Sequence, residues 1–133
     1  SNHFKPGLYP RVEDDATIVL NYPKTQAIIQ ASWNWTFSRK DMEVYGDSAY
    51  IVAVNANKMR LRNKESLPEY EKWVTDKDIH VFTNPFSYLH AVLRGKERVE
   101  PFGLYSIDNN IMVNKILEAA KQSAASGKTV MMH

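Results

Sequence analysis

The sequence predicts an α+β fold with an open, mainly antiparallel β-sheet and helices packed on one face. Three observations carry this expectation. The first half alternates apolar and polar residues with period two, its runs are joined by short turns, and the second half shifts to helical spacing with capping residues. Short connections favour antiparallel neighbours, because parallel ones need crossovers of about a dozen residues or more.

Each element has its own signal. Residues 16–22 form a short apolar run, Pro23-Lys24 supplies a turn, and residues 25–35 then place Ala27, Ile29, Ala31, Trp33 and Trp35 on one face, with Ile28 alone breaking the alternation. Gln26, Gln30, Ser32 and Asn34 fall on the other face. A third strand spans Met42–Tyr45, Gly46-Asp47-Ser48 reverses it, a fourth covers residues 49–54, and Asn55-Ala56-Asn57 leads into a fifth, Lys58–Arg62. From 63 to 79 the chain is polar, contains Pro68 and lacks sustained periodicity, which reads as a long surface loop. Thr83 or Asn84 then caps a helix with Pro85 at its first position, Phe86, Leu89 and Leu93 on one face, and Gly95 past its end. A second helix starts near Ser106 or Asp108 and runs to Ser126, with Ile107, Ile111, Ile116, Leu117, Ala120 and Ala124 as its stripe and Gly127 as its stop. Residues 128–132 read as a last short strand.

Composition narrows the function classes. The chain has 133 residues, 17 Lys+Arg against 15 Asp+Glu, 44% hydrophobic residues and no cysteine, which describes a folded domain without disulfides, thiolate metal sites or cysteine nucleophiles. No run approaches the ~18–20 apolar residues of a membrane span. A net charge of +2 is too small for a nucleic-acid footprint. The one basic stripe, Lys58, Arg60, Arg62 and Lys64, recurs every second residue with Met59 and Leu61 opposite. With no aromatic residue interleaved, it reads as a solvated strand face over core. Ser1-Asn2, without a Met, reads as a cleavage scar on a piece of a longer protein, residues 3–133 being the domain proper. Compartment, cytoplasmic or exported, then depends on the missing N-terminus.

Enzyme templates fail on the residues present. The five glycines lie too far apart for a phosphate-cradling loop, and the four histidines show no metal-ligand spacing. His90 reads as a packing residue and His80 as a surface histidine, since nothing identifies a nucleophile for either to serve. Glu13-Asp14-Asp15 cannot converge as consecutive residues of an extended chain, but one of them is suited to turn its carboxylate onto local backbone N–H groups. The aromatic cluster stands out. Trp33, Trp35 and Phe37 share one face, with Tyr45 and Tyr50 on the following strands, and such residues serve in cores, at interfaces and against sugar rings. Trp33, Asn34, Trp35, Arg39 and Tyr45 are therefore the candidate site, at a substrate cleft or at a subunit interface.

These segments resemble a known family. Residues 13–20 (Glu-Asp-Asp-Ala-Thr-Ile-Val-Leu), Ala31-Ser32-Trp33-Asn34-Trp35, Asp41-Met42-Glu43-Val44-Tyr45-Gly46, Asn84-Pro85-Phe86-Ser87-Tyr88-Leu89 with Arg94-Gly95, and Asn109-Asn110-Ile111-Met112-Val113 continuing to Ser126-Gly127-Lys128-Thr129-Val130 are similar, in that order, to the later part of the Gfo/Idh/MocA oxidoreductases. Asp47-Ser48-Ala49 departs from the pattern, where the family usually has another glycine. The resemblance implies a glyceraldehyde-3-phosphate-dehydrogenase-like C-terminal domain whose parent binds NAD or NADP in an N-terminal Rossmann domain absent here. It further implies a sugar, polyol or related hydroxylated substrate, assembly into dimers or tetramers, and no turnover by this piece alone. The family's Glu-Lys-Pro lysine and catalytic histidine belong upstream. Glu71-Lys72 precedes Trp73, not Pro, and does not stand in for them. A stand-alone, non-catalytic module binding carbohydrate or protein is the alternative reading.

Overall fold

The computed structural model describes residues 1–79, 82 and 84–132. The fold is α+β, with open antiparallel sheets and, among the described residues, two helices, and the chain divides into two compact units: Ser1–Trp35 with Tyr88–His133, and Thr36–Ser87. In the first unit, β1 (Asp15–Asn21) and β2 (Gln26–Ser32) pair from Asp15↔Ser32 to Asn21↔Gln26. The turn residues Pro23 and Lys24 are enclosed by the bond from the Tyr22 N–H to the Thr25 carbonyl, 2.8 Å. The N-terminal arm adds a bridge between Asn2 and Asp15 on the outer side of β1.

β2 is shorter than the alternation implies. The Ser32 hydroxyl accepts the Asn34 N–H at 3.1 Å, and such a local side-chain bond diverts the backbone from the ladder. Trp33, Asn34 and Trp35 thus lie beyond the strand. The expected packed face is not buried: Ala27 is half-buried, but Ile29, Ala31, Trp33 and Trp35 are exposed, and a two-stranded hairpin has little means to bury a face by itself.

The second unit holds a four-stranded meander, β3 (Met42–Tyr45), β4 (Tyr50–Ala53), β5 (Lys58–Arg62) and β6 (Tyr70–Trp73). The strands therefore form two sheets rather than one five-stranded meander. Residues 33–41 between β2 and β3 are too long for a tight hairpin, and β1 to β3 do not continue as one ladder. The Gly46 N–H to Ala49 carbonyl bond closes the β3–β4 turn, and Asn55 Oδ1 accepts the N–H groups of Asn57 and Lys58 to shape the β4–β5 turn. β6 sits inside the segment expected to be a loop. Its residues, Tyr-Glu-Lys-Trp, do not alternate apolar with polar, and ion pairs from Glu71 and from Glu69 just before it fasten it to β5, so an apolar pattern does not reveal it.

Both helices are capped as their sequences dictate. Asn84 Oδ1 accepts the Ser87 N–H at the start of α1 (Pro85–Leu93); Thr83 and His80 lie outside the described residues. At its end Gly95 has φ 66°, with the Lys96 N–H on the Ala91 carbonyl and the Gly95 N–H on that of Val92, a Schellman closure. The helix turns Ser87, Tyr88 and Ala91 inward instead of Phe86, Leu89 and Leu93, which are all exposed. Tyr88 stacks on Tyr105, with ring centroids 4.4 Å apart, and Ala91 is buried. In α2 (Ile107–Ser126) Ser106 is the N-cap, its hydroxyl accepting the Asn109 N–H at 3.1 Å, and Gly127 closes the helix at φ 65°. The expected stripe is not a core: Ile107, Ile111 and Leu117 are exposed. Residues 128–132 form no strand; Val130, Met131 and Met132 instead line a groove along α2.

Candidate functional site

The register of β3 to β6 sorts the second unit's residues onto two faces. Tyr45, Tyr50 and Arg62 align across three strands, and Glu43, Val52, Arg60 and Glu71 across four. Lys58 and Trp73 complete this polar face. Met42, Val44, Ile51, Ala53, Met59 and Leu61 alternate onto the other, which is apolar across β3 to β5 and carries Tyr70 and Lys72 in β6. The split between the basic residues of β5 and Met59 and Leu61 follows the sequence expectation. The interleaved aromatics missing within β5 are supplied by its neighbours on the same face.

The cations of this face are bound to carboxylates or carbonyls. Lys58 Nζ lies 2.7 Å from Glu71 Oε1 and 5.7 Å from the centroid of the Trp73 ring. Arg60 Nη1 donates to Glu69 Oε1 at 3.3 Å. Arg62 donates through Nε to the Leu67 carbonyl at 2.8 Å and through Nη2 to that of Glu65. The tyrosines join the same network, Tyr45 Oη donating to Glu43 Oε2 at 2.9 Å and Tyr50 Oη to Glu69 Oε2 at 2.8 Å, with ring centroids 5.5 Å apart. Hydrogen bonding to Glu43, together with its charge, pushes the Tyr45 phenol above its ordinary pKa; Glu69 and partial burial do the same to Tyr50.

Beside the tyrosines a groove of about 600 Å³ opens over Val52, which is 6% exposed. Arg39, Lys40, Asp41, Glu43, Lys58 and Arg60 contribute its charged walls. Arg39 grips Asp41 with two parallel bonds, Nε to Oδ1 and Nη2 to Oδ2, both 2.7 Å. This pairing raises the arginine pKa and holds the Asp41 carboxyl below its ordinary value. Donors and acceptors are thus held in alternating positions around an open space, an arrangement suited to a ligand with several hydroxyl groups.

The five residues singled out from sequence divide between the units. Arg39 and Tyr45 belong to this face; Trp33, Asn34 and Trp35 belong to the first unit, just past β2. Asn34 is engaged with Asp14, the one acid of the Glu13-Asp14-Asp15 run that turns onto backbone N–H groups as expected. Asp14, 1% exposed, accepts the N–H of Phe4 at 2.9 Å, the N–H of Lys5 at 2.6 Å and the Asn34 side-chain amide at 2.9 Å. Burial alone pushes its carboxyl up, but these bonds and the nearby His3 outweigh it, leaving the pKa lowered. The Asn34 side-chain oxygen is buried without a hydrogen-bond partner among the described residues. No group of acids and histidines among the described residues has the arrangement of a metal site.

Sequence reasoning missed Glu69, Glu71 and Trp73. Their signal is present as complementarity: Glu69-x-Glu71-x-Trp73, reversed, meets Lys58-x-Arg60-x-Arg62 with opposite charges at alternate positions. Compared with known proteins, the chain matches no family model, no curated protein sequence and no solved structure.

Proposed function

We propose that this chain is the substrate-side and oligomerisation domain of an NAD(P)-dependent oxidoreductase acting on a sugar, polyol or related hydroxylated compound. A separate Rossmann domain would bind the nicotinamide cofactor, and this chain alone would not turn over substrate. The ordered resemblance of its segments motivates the reading. The observation that supports it best is the two-sided meander, with hydrogen-bonding and aromatic groups on one face and apolar residues, Met42 and Val44 among them exposed, on the other. Hydride transfer needs a substrate held beside a nicotinamide, and the polar face offers means to hold hydroxyls but no phosphate-cradling loop.

The test is to express the longest reading frame that contains these residues and assay sugar- and polyol-dependent reduction of NAD⁺ and NADP⁺, with the 133-residue chain as control. Turnover by the longer protein and none by the control is the expected result. Tight NAD binding by the 133-residue chain, or no nicotinamide activity in the longer protein with any hydroxylated compound, overturns the reading. Sugar binding without nicotinamide activity selects the non-catalytic carbohydrate module instead.

A further inference from the structure

We infer that the groove over Val52 is an anion site that takes the oxygens of a phosphate or carboxylate group, an inference that stands on the groove's own lining, whatever reaction the parent performs. Charge and hydrogen bonding carry it together. The lining holds four cations, Arg39, Lys40, Lys58 and Arg60, against two carboxylates, Asp41 and Glu43. The excess is unevenly placed. Val52 pairs with Glu43 on one side and with Arg60 on the other, so β4 is the floor between a β3 flank and a β5 flank. Both carboxylates stand on the β3 flank with Arg39 and Lys40, whereas the β5 flank offers the groove Lys58 and Arg60 and no acid. Two strand spacings, about 9.5 Å, separate the backbones of Glu43 and Arg60, which leaves a small anion room over the apolar Val52.

Glu69 and Glu71 lie outside this lining and hold Arg60 and Lys58 from the β6 side. They do not close the site. Exposed ion pairs of this kind are weak, and each cation keeps donors for a second acceptor, since Arg60 gives Nη1 to Glu69 at 3.3 Å and Lys58 gives its ammonium to Glu71 at 2.7 Å. Lys40 has no ion-pair or hydrogen-bond partner among the described residues. The acceptors of the lining, by contrast, are largely occupied. Both Asp41 oxygens take bonds from Arg39, Asn55 Oδ1 takes the N–H groups of Asn57 and Lys58, and Glu43 Oε2 takes the Tyr45 hydroxyl. A lining with donors left over and acceptors in use is completed by a group whose oxygens accept, and charge-assisted bonds to such a group are the strong ones. At about 600 Å³ the groove has the volume of a small-molecule site, and a net charge of +2 over the whole chain gives no long basic track for a polynucleotide.

The 133-residue chain is titrated with inorganic phosphate, pyrophosphate and citrate, and with a single-stranded oligonucleotide, at low and at raised sodium chloride, binding being followed by amide chemical shifts. Shifts centred on Arg39, Lys40, Val52, Lys58 and Arg60 are expected with the small anions, and binding should weaken as salt screens the charges. The order of pyrophosphate and citrate tells which oxyanion the groove prefers. Lys40→Gln removes the unpaired cation and should weaken binding about fivefold, the effect of one charge at contact distance in water. Glu43→Gln removes the opposing carboxylate and should strengthen binding by a similar factor. Lys115→Gln, on α2 and outside the groove, should change nothing. All three side chains are exposed, and Lys40 lies outside the strands, so its variant decides the matter alone if Glu43→Gln disturbs β3.

The inference is overturned if none of the three small anions shifts these resonances, or if salt leaves their binding unchanged. Oligonucleotide binding tighter than that of pyrophosphate also overturns it, making the face a nucleic-acid surface. So does a Lys40→Gln chain that binds as the parent does, or a Lys115→Gln chain that loses as much as Lys40→Gln, which reduces the binding to diffuse attraction.

Discussion

Replacing Ser106 with Ala tests whether a single hydroxyl sets the start of α2. Ser106 is 2% exposed, and its hydroxyl accepts the Asn109 N–H, one of the donors that the helix itself leaves unused. Loss of an N-cap hydroxyl costs about 0.5–2 kcal/mol, and the enclosure of this one, which hinders replacement by water, places the expected cost near 1.5 kcal/mol. An unfolding entropy of about 2.1 cal/mol/K per residue, over 133 residues, gives about 0.28 kcal/mol/K and a fall in Tm of about 5 °C. The bonds from the Asn110 backbone and side chain to the Ser106 carbonyl survive the change, so they do not add to the cost. Ser106→Gly is the informative partner, because glycine at an N-cap costs only a few tenths of a kcal/mol relative to serine. Thermal melts followed by far-UV circular dichroism measure both. If the Ala variant melts within about 1 °C of the parent, or the Gly variant falls as far as Ala, the cap is not what holds this helix end.

Three further outcomes follow from the geometry. The lowered native pKa of Asp14 means that it contributes stability above its unfolded value of 3.8, a contribution lost as the pH falls below 3.8 and through the still lower native value. In acid titration, amide protection of Phe4 and Lys5 should fall before that of β1 and β2, and Asp14→Asn should remove this step; an identical acid profile in the variant refutes the assignment. Lys58 both pairs with Glu71 and sits over Trp73, so Lys58→Ala should cost more than Glu71→Ala, with a coupling of about 0.2–1 kcal/mol in a double-mutant cycle. Equal costs with no coupling contradict that arrangement. The Tyr45 phenol should titrate above 10.0 by ultraviolet absorbance and move back toward that value in Glu43→Gln, whereas no movement places Glu43 elsewhere.

What the sequence reveals depends on how local the cause is. The caps at Asn84, Ser106, Gly95 and Gly127 are legible because each is decided within a few residues. The three strands from Met42 to Arg62 are legible because short turns and alternation agree. β6 is hidden because its support comes from Glu69 and Glu71 meeting a strand already passed, a long-range cause. The burial of Trp33 and Ile29 is misjudged for a related reason: period two identifies a face, and only a covering layer makes it a core. Of the site residues, Arg39 and Tyr45 could be found by residue type, and their partners, Asp41 and Glu43, lie two positions away, the spacing that puts two residues of an extended strand such as β3 on one face.

The Asp14 carboxylate also sets how far the chain can be shortened. Residues 4 and 5 are exposed and form no strand, so by surface and secondary structure they look expendable. They nevertheless supply two of the three donors to a charge that solvent does not reach. A proteolytic cut after Lys5 would release a peptide that carries both donors, and Asp14 would have to be rehydrated or protonated with only Asn34 beside it. The boundary of the first folding unit therefore lies within the N-terminal arm, well before the first strand of the hairpin begins.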